Sequence, residues 1–354
     1  MNLCLSRVVV KLTLLCTAFA LTGCAGGSST TTTTPPAAKA KHATSACPCL
    51  YVANPGSSSV AVFGTGSTGN VAPIQMISGS NTGLNLSAGV AVDASGNMYV
   101  ANQTGGPSRH GSVTVYAAGS TGNVTPIQTI SGSKTALASP LGIALDPANG
   151  DIYVANASGD SVTIYAPGAN GNIAPIGTIA GANTELNGPD GLASDENGNI
   201  YVSNFGGGSN DKGSVTVFTA GSVGNVKPRQ TISDPAKHYL SWPFQIALDT
   251  SLNIYVANWG SNRGGGHVTV YGAGANGMPT PIRTIGGSKT NIFNAAGVAL
   301  DGDNDIYVAN GTSGPSGYGS VTVYAPGKKH NVAPINTIAG SNTGLDRPAA
   351  IVIH

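Results

Sequence analysis

Five side chains of this sequence are the weak candidates for a metal site: the carboxylates Asp160, Glu185 and Asp190 and the imidazoles His110 and His267. Carboxylate oxygens suit Ca²⁺, and a mixture with imidazole suits Zn²⁺, provided that several donors converge on one ion at about 2 Å. They are scattered between positions 110 and 267, so only the fold can gather them. A second set is aromatic: Phe205, Tyr239, Trp242, Phe244, Trp259, Phe293 and Tyr318. If exposed together, such faces stack on a sugar ring or an extended peptide, and if not they pack on one another over long loops. No Ser/His/Asp arrangement, phosphate-binding loop or basic aromatic stripe is recognisable.

The elements that must position these residues are announced by a repeat. Tyr51-Val-Ala-Asn54 returns at Tyr99, Tyr153, Tyr201 (with Ser203 for Ala), Tyr255 and Tyr307, at spacings of 48 to 54 residues. A period near 50 made of short β-rich segments predicts a radial β repeat, not a helical solenoid. The unit around Tyr201 reads Gly191-Leu-Ala-Ser-Asp195, a turn at Glu196-Asn-Gly198, Asn199–Asn204, a loop, Ser214–Phe218 and finally Arg229–Ile232. Alternating Val, Ile, Thr and Tyr between Gly, Asn and Asp are strands joined by turns, so each unit predicts a four-stranded antiparallel blade. The repeat begins in mid-unit at Leu50 and ends with Pro348–His354, which aligns with Pro140–Asp146. The C-terminus is therefore expected to supply the inner strand of the first blade and close an all-β, six-bladed propeller over residues 47–354.

Pro-x-Gly-Ile-Ala-Leu-Asp, then Gly-Asn-Ile-Tyr-Val-Ala-Asn, then Ser-Val-Thr-Val-Tyr resembles the NHL-type β-propeller repeat across all six units. Where that family usually has Asp at the end of the second strand, this chain has Asn54, Asn102, Asn156, Asn204, Asn258 and Asn310, each expected to cap the turn that follows. The resemblance implies that loops before the first strand and between the second and third strands emerge on one face, the top, where ligands bind. Asp93, Asp146, Asp195, Asp249 and Asp301 then fall on the bottom, and their recurrence reads as turn capping. Gluconolactonase-like and peptidyl-amidoglycolate lyase-like enzymes on similar propellers hold a metal at the channel mouth. Here the mouth positions are Ala88, Leu141, Asp190, Phe244, Ala296 and Ala349, with Asp160 and Glu185 on nearby loops and His110 and His267 in loops taken as equivalent, three blades apart.

One unit breaks the repeat. Asp234–Gln245 replaces the usual loop, with Gln245 at the position of the first-strand Gly and Trp242 where the other units have Leu86, Ser139, Gly188, Asn294 and Arg347. Trp259 directly follows Asn258, so both tryptophans are expected on top of the fifth blade, with Phe205, Phe293 and Tyr318 on its neighbours.

The N-terminus lies outside the repeat. Arg7, Lys11 and the apolar Leu12–Leu21 read as a signal peptide over residues 1–23, and Leu21-Thr-Gly-Cys24 resembles the bacterial lipobox, which implies diacylation of Cys24. In a Gram-negative cell, Ala25 in place of Asp implies sorting to the outer membrane, facing the periplasm or the cell surface. Residues 24–46, with a Thr run and Pro35-Pro36, predict a disordered tether. Cys47-Pro-Cys49, close to the expected position of His354, is a minimal candidate for a small metal or redox site. A net charge of +1 argues against nucleic acid as a partner. The sequence thus predicts a membrane-anchored envelope scaffold that takes a protein, peptide or glycan on its top face. The alternative is a metal-dependent hydrolase or lyase using Ca or Zn at the channel mouth.

Overall fold

The computed structural model describes residues 48–354 apart from 107–108, 209–211, 235–238, 261–264 and 313–316. The described residues form six four-stranded antiparallel sheets, each running from an inner strand to an outer one. Blade IV is Pro189–Ser194, Ile200–Asn204, Ser214–Phe218 and Gln230–Ser233. The inner strands of blades II, III, V and VI are Ser87–Val92, Pro140–Leu145, Pro243–Leu248 and Ala295–Leu300. Blade I takes its inner strand, Ala350–Ile353, from the other end of the chain, pairing it with Cys49–Asn54 so that Val52 lies opposite Ile351. Backbone bonds between Cys49 and His354 in both directions finish that seam. The residues assigned to signal peptide and tether, with Cys24 and Cys47, lie outside the described ones.

A second closure, which the repeat pattern did not reveal, runs round the outside. The outer strand of each blade makes a parallel bridge to the next blade: Ile77 to Gly122, Ile130 to Gly171, Ile179 to Gly224, Ile232 to Gly277, Ile285 to His330 and Ile338 to Gly69. The last bridge joins blade VI to blade I, so the outer strands too have covered edges. Between neighbouring sheets lie the apolar clusters. Tyr201, Val215, Val217 and Ile232 of blade IV, for example, meet Ile246, Ile254, Val256 and Tyr271 of blade V. At about 1.5–3 kcal/mol per large buried apolar side chain, these seams hold the ring together.

The recurrent polar residues serve the framework. Asp195 accepts the backbone N–H groups of Asn197 and Asn199, the Asn199 side-chain amide and the Tyr201 hydroxyl. Asp93, Asp249 and Asp301 repeat this pattern closely, and Asp146 does so through Ala148 and Tyr153. The recurrent asparagines correct an expectation, because they do not cap the turn that follows. Asn156, fully buried, accepts the Ala138 N–H through Oδ1 and donates through Nδ2 to the Val154 carbonyl and the Thr163 hydroxyl. Equivalent bonds tie Asn102, Asn204, Asn258 and Asn310 to the loop 17 residues earlier. A carboxylate could accept but not donate, which explains why Asn stands where the resembling family has Asp.

Candidate pocket at the top of the propeller

Each of the five inner strands that follows its predecessor blade in sequence carries a register shift at its top end, between Ser87 and Gly89, Pro140 and Ile143, Pro189 and Leu192, Pro243 and Ile246, and Ala295 and Gly297. Such a bulge re-aims the side chain it contains. The residues so placed are Ala88, Leu141, Asp190, Phe244 and Ala296, and together with Ala349 all of them line one cavity of about 530 Å³ at the mouth of the channel. Glycine follows four of these positions because the blades touch there. The carbonyls of Leu141, Asp190, Phe244 and Ala349 occupy the space that a Cβ of Gly89, Gly142, Gly191 and Gly297 would need.

Blade V breaks that pattern with Gln245, and the structure shows what its side chain does. Nε2 donates to the Ile351 carbonyl at 2.8 Å, while Oε1 accepts the N–H groups of Ile351 at 3.0 Å and Val298 at 3.1 Å. Gln245 therefore bridges from blade V to the inner strands of blades VI and I. It lines both the upper cavity and the channel of about 270 Å³ between the inner strands beneath, and so forms the floor between them.

The other irregular residues gather at the same seam, between blades IV and V. Ser203, the single departure within the Tyr-Val-Ala-Asn motif, accepts the Gly191 N–H and donates to the Phe244 carbonyl, fixing the backbone that carries Phe244. Phe244 stacks on Trp259 with centroids 5.0 Å apart and meets Phe205 edge-on at 5.7 Å. Phe205 in turn stacks on Trp242 at 6.1 Å. Both tryptophans lie against glycine backbone, Trp242 over Gly260 and Trp259 over Gly311, where no side chain interferes. The aromatics thus pack on one another and still present a surface: Phe205, Phe244 and Trp259 line the cavity, while Trp242, outside it, carries the Lys212 ammonium 5.2 Å from its ring centroid.

Among the described residues Tyr239, Phe293 and Tyr318 make no ring contact with this cluster. Phe293 and Tyr318 are exposed. The Tyr239 carbonyl faces His267 Nε2 at 3.0 Å, and that of Tyr318 accepts the Arg347 N–H.

The metal candidates disperse. His267 is not in a loop equivalent to that of His110. It is the first residue of the strand His267–Tyr271, aligned with Ser112, and it is buried, which lowers its pKa. His110 is exposed. Glu185 accepts the Thr231 hydroxyl on the outside of blade IV. Asp160 accepts the Gly188 N–H at 2.7 Å and so pins the turn that leads into Asp190. Among the described residues no three His, Cys, Asp or Glu side chains are grouped as metal ligands. Only Asp190 of the five faces the cavity. Burial pushes its carboxyl up from 3.8 to about 7.

Several lining residues escaped the sequence reading, Arg347 and Gln103 among them. Arg347, exposed on the turn into the C-terminal strand of blade I, and Gln103, just after Asn102 of blade II, bring polar side chains to the lining. Arg347 occupies the same loop position as Trp242, and Gln103 the same position as Phe205 and Trp259, one residue past the motif, so comparison of the units could have found both.

The geometry has counterparts among known proteins. The family described as "Lactonase, 7-bladed beta-propeller" matches residues 31–184, whose described part spans blades I to III, whereas the ring here has six blades. No curated protein sequence matches the chain. A chain of the nidogen/laminin complex superposes with a TM-score of 0.59 at 14% identity, covering 86% of this chain and 98% of the other. A 6-phosphogluconolactonase candidate from Bacteroides fragilis gives 0.55 at 14% identity, covering 87% and 98%. A streptogramin B lyase gives 0.51 at 13%, covering 76% and 72%. At such identities the likeness establishes the fold alone: the chain is a β-propeller.

Proposed function

We propose that this protein is a binding protein whose top-face pocket captures a small ligand with a flat or apolar face, a sugar ring or part of a short peptide being the candidates. The observation that carries the reading is the convergence of repeat-breaking residues at one seam. Ser203, Phe205, Phe244, Gln245 and Trp259 depart from their counterparts in the other units, and all of them build or line one cavity. A volume of about 530 Å³ lies within the usual range of ligand sites, roughly 300–1,000 Å³. The test is a fluorescence titration of the full-length protein with envelope glycans and short peptides. Trp259→Ala should weaken binding by about 1–3 kcal/mol, the scale of an interface aromatic, while the melting temperature stays nearly unchanged. A large loss of melting temperature with no ligand-dependent fluorescence would return the cluster to loop packing.

In this proposal the propeller is held on the outer side of a bacterial membrane through lipid on Cys24, as the Leu21–Cys24 motif suggests. Cys24→Ser should then move the protein out of the detergent phase, and unchanged partitioning would refute the anchor. A second reading, a hydrolase or lyase at the same mouth, draws on the lactonase-type match and on Asp190, whose carboxyl near neutrality could move a proton. Turnover of lactones by the wild type and its loss in Asp190→Asn would favour it.

A further inference from the structure

Asp190 is the one ionisable side chain among the six mouth positions, and among the described residues no hydrogen-bond donor or ion pair serves its carboxylate. A polar group in a pocket without a partner is a group that a ligand can satisfy. Beside it, Phe244 follows in the ring of mouth positions, stacked on Trp259, and Phe205 closes the wall. An aromatic wall next to a lone carboxylate is the chemistry that recognises an organic cation, because ring faces attract it through their quadrupole and the carboxylate supplies the counter-charge. Outside the cavity the same cluster holds one such pair, the Lys212 ammonium 5.2 Å from the Trp242 ring centroid.

Resting on the reading of the pocket as a binding site, we propose that its ligand is a small organic ammonium ion carried on an apolar or ring group, held by Asp190 and the cavity-lining rings of Phe205, Phe244 and Trp259. Near the carboxyl, Gln245 is neutral and its amide is engaged with inner-strand backbone. Arg347 belongs to blade I, across the ring from blade IV, and Asp160 and Lys212 are held by the Gly188 turn and by Trp242. A bound cation favours the ionised form of Asp190, which burial alone keeps protonated up to about pH 7. Cation binding therefore releases a proton below neutrality and tightens as pH rises. A neutral acceptor ligand, served by the protonated acid, would weaken instead.

The experiment is calorimetry on the full-length protein with three probes of one shape: benzyltrimethylammonium, whose charge does not titrate, benzyl alcohol and phenylacetate. The cation should bind at least tenfold more tightly than the other two at pH 8, and lose about tenfold or more of its affinity by pH 5.5. Asp190→Asn, checked for an intact melting transition, should abolish both the preference and the pH dependence. Should that variant fail to fold, the wild-type pH profile tests the same point. Equal or better binding of the alcohol or the acid, or a cation affinity untouched by Asp190→Asn, would overturn the inference and leave the pocket reading in place. The same holds if none of the three binds while a glycan or peptide does. If nothing perturbs Trp259 fluorescence, both fall.

Discussion

The two rims of the propeller are built on opposite principles. At the bottom, five blades use the same aspartate in the same way, each closing its turn and receiving a tyrosine hydroxyl from the next strand. At the top, the residues aimed into the mouth are alanine in three blades and leucine, aspartate and phenylalanine in the others, although the bulge that aims them recurs in five. Repetition marks what every blade needs in order to fold. Departure from it marks what one place on the ring needs for something else, since folding alone is satisfied by the small residues of the remaining units. The seam between blades IV and V is where departures concentrate, and Ser203 and Gln245 show that some of them act indirectly: they hold the backbone and floor around Phe244.

The contrast predicts that changes to repeated features cost stability and changes to the seam cost binding. The largest effect should follow deletion of Ala349–His354. It removes the inner strand of blade I together with the buried Ala350 and Ile351 and exposes Leu50 and Val52, for a loss of several kcal/mol at about 1.5–3 kcal/mol per large buried side chain. Thermal melting of the truncated protein at the full-length temperature would contradict the shared blade.

Asn156→Asp comes next. It sets an acceptor against the Val154 carbonyl in a fully buried site, and chemical denaturation should show a loss of about 1–3 kcal/mol, with ligand binding intact. A neutral outcome would mean that the choice of Asn over Asp at this position has no structural cause.

Asp190→Asn tests the seam from the stability side. With the native carboxyl at about 7 and the unfolded one at 3.8, the native state holds the extra proton between these values, so wild-type stability falls as pH rises through this window and levels off above it. The asparagine variant lacks that slope. The two proteins should melt alike below pH 3.8, and the variant should be the more stable by a few kcal/mol at most at pH 8. Parallel pH profiles would show that Asp190 titrates as an ordinary surface carboxylate.

The smallest expected effect separates the two tryptophans. Trp242 backs Phe205 without lining the cavity, so Trp242→Ala should weaken ligand binding by less than about 1 kcal/mol, well short of Trp259→Ala. Equal losses would extend the binding surface from the cavity over the rim.

Most of the framework was legible because it is repeated. The Tyr-Val-Ala-Asn period announced the number of blades, the half-unit at each end announced the closure, and the recurrent Asp marked the bottom turns. The alignment of Ala88, Leu141, Asp190, Phe244, Ala296 and Ala349 placed six residues round one mouth, where the structure finds them. What remained hidden was pairwise. No period distinguishes an asparagine that caps the next turn from one that reaches back 17 residues, nor a histidine at a strand start from one in a loop. Whether Asp160 meets a metal or the Gly188 N–H depends on a contact between blades 28 residues apart.

The ring was already contained in the chain's local chemistry, since hydrophobic alternation and turn residues are properties of short segments, and six copies of one such pattern have one way to bury their faces and edges. The site was not. Which irregular side chains face each other across a seam depends on inter-blade contacts of a few ångströms, and these join Asp190, Phe205, Phe244 and Trp259 while leaving Tyr239, Phe293 and Tyr318 outside.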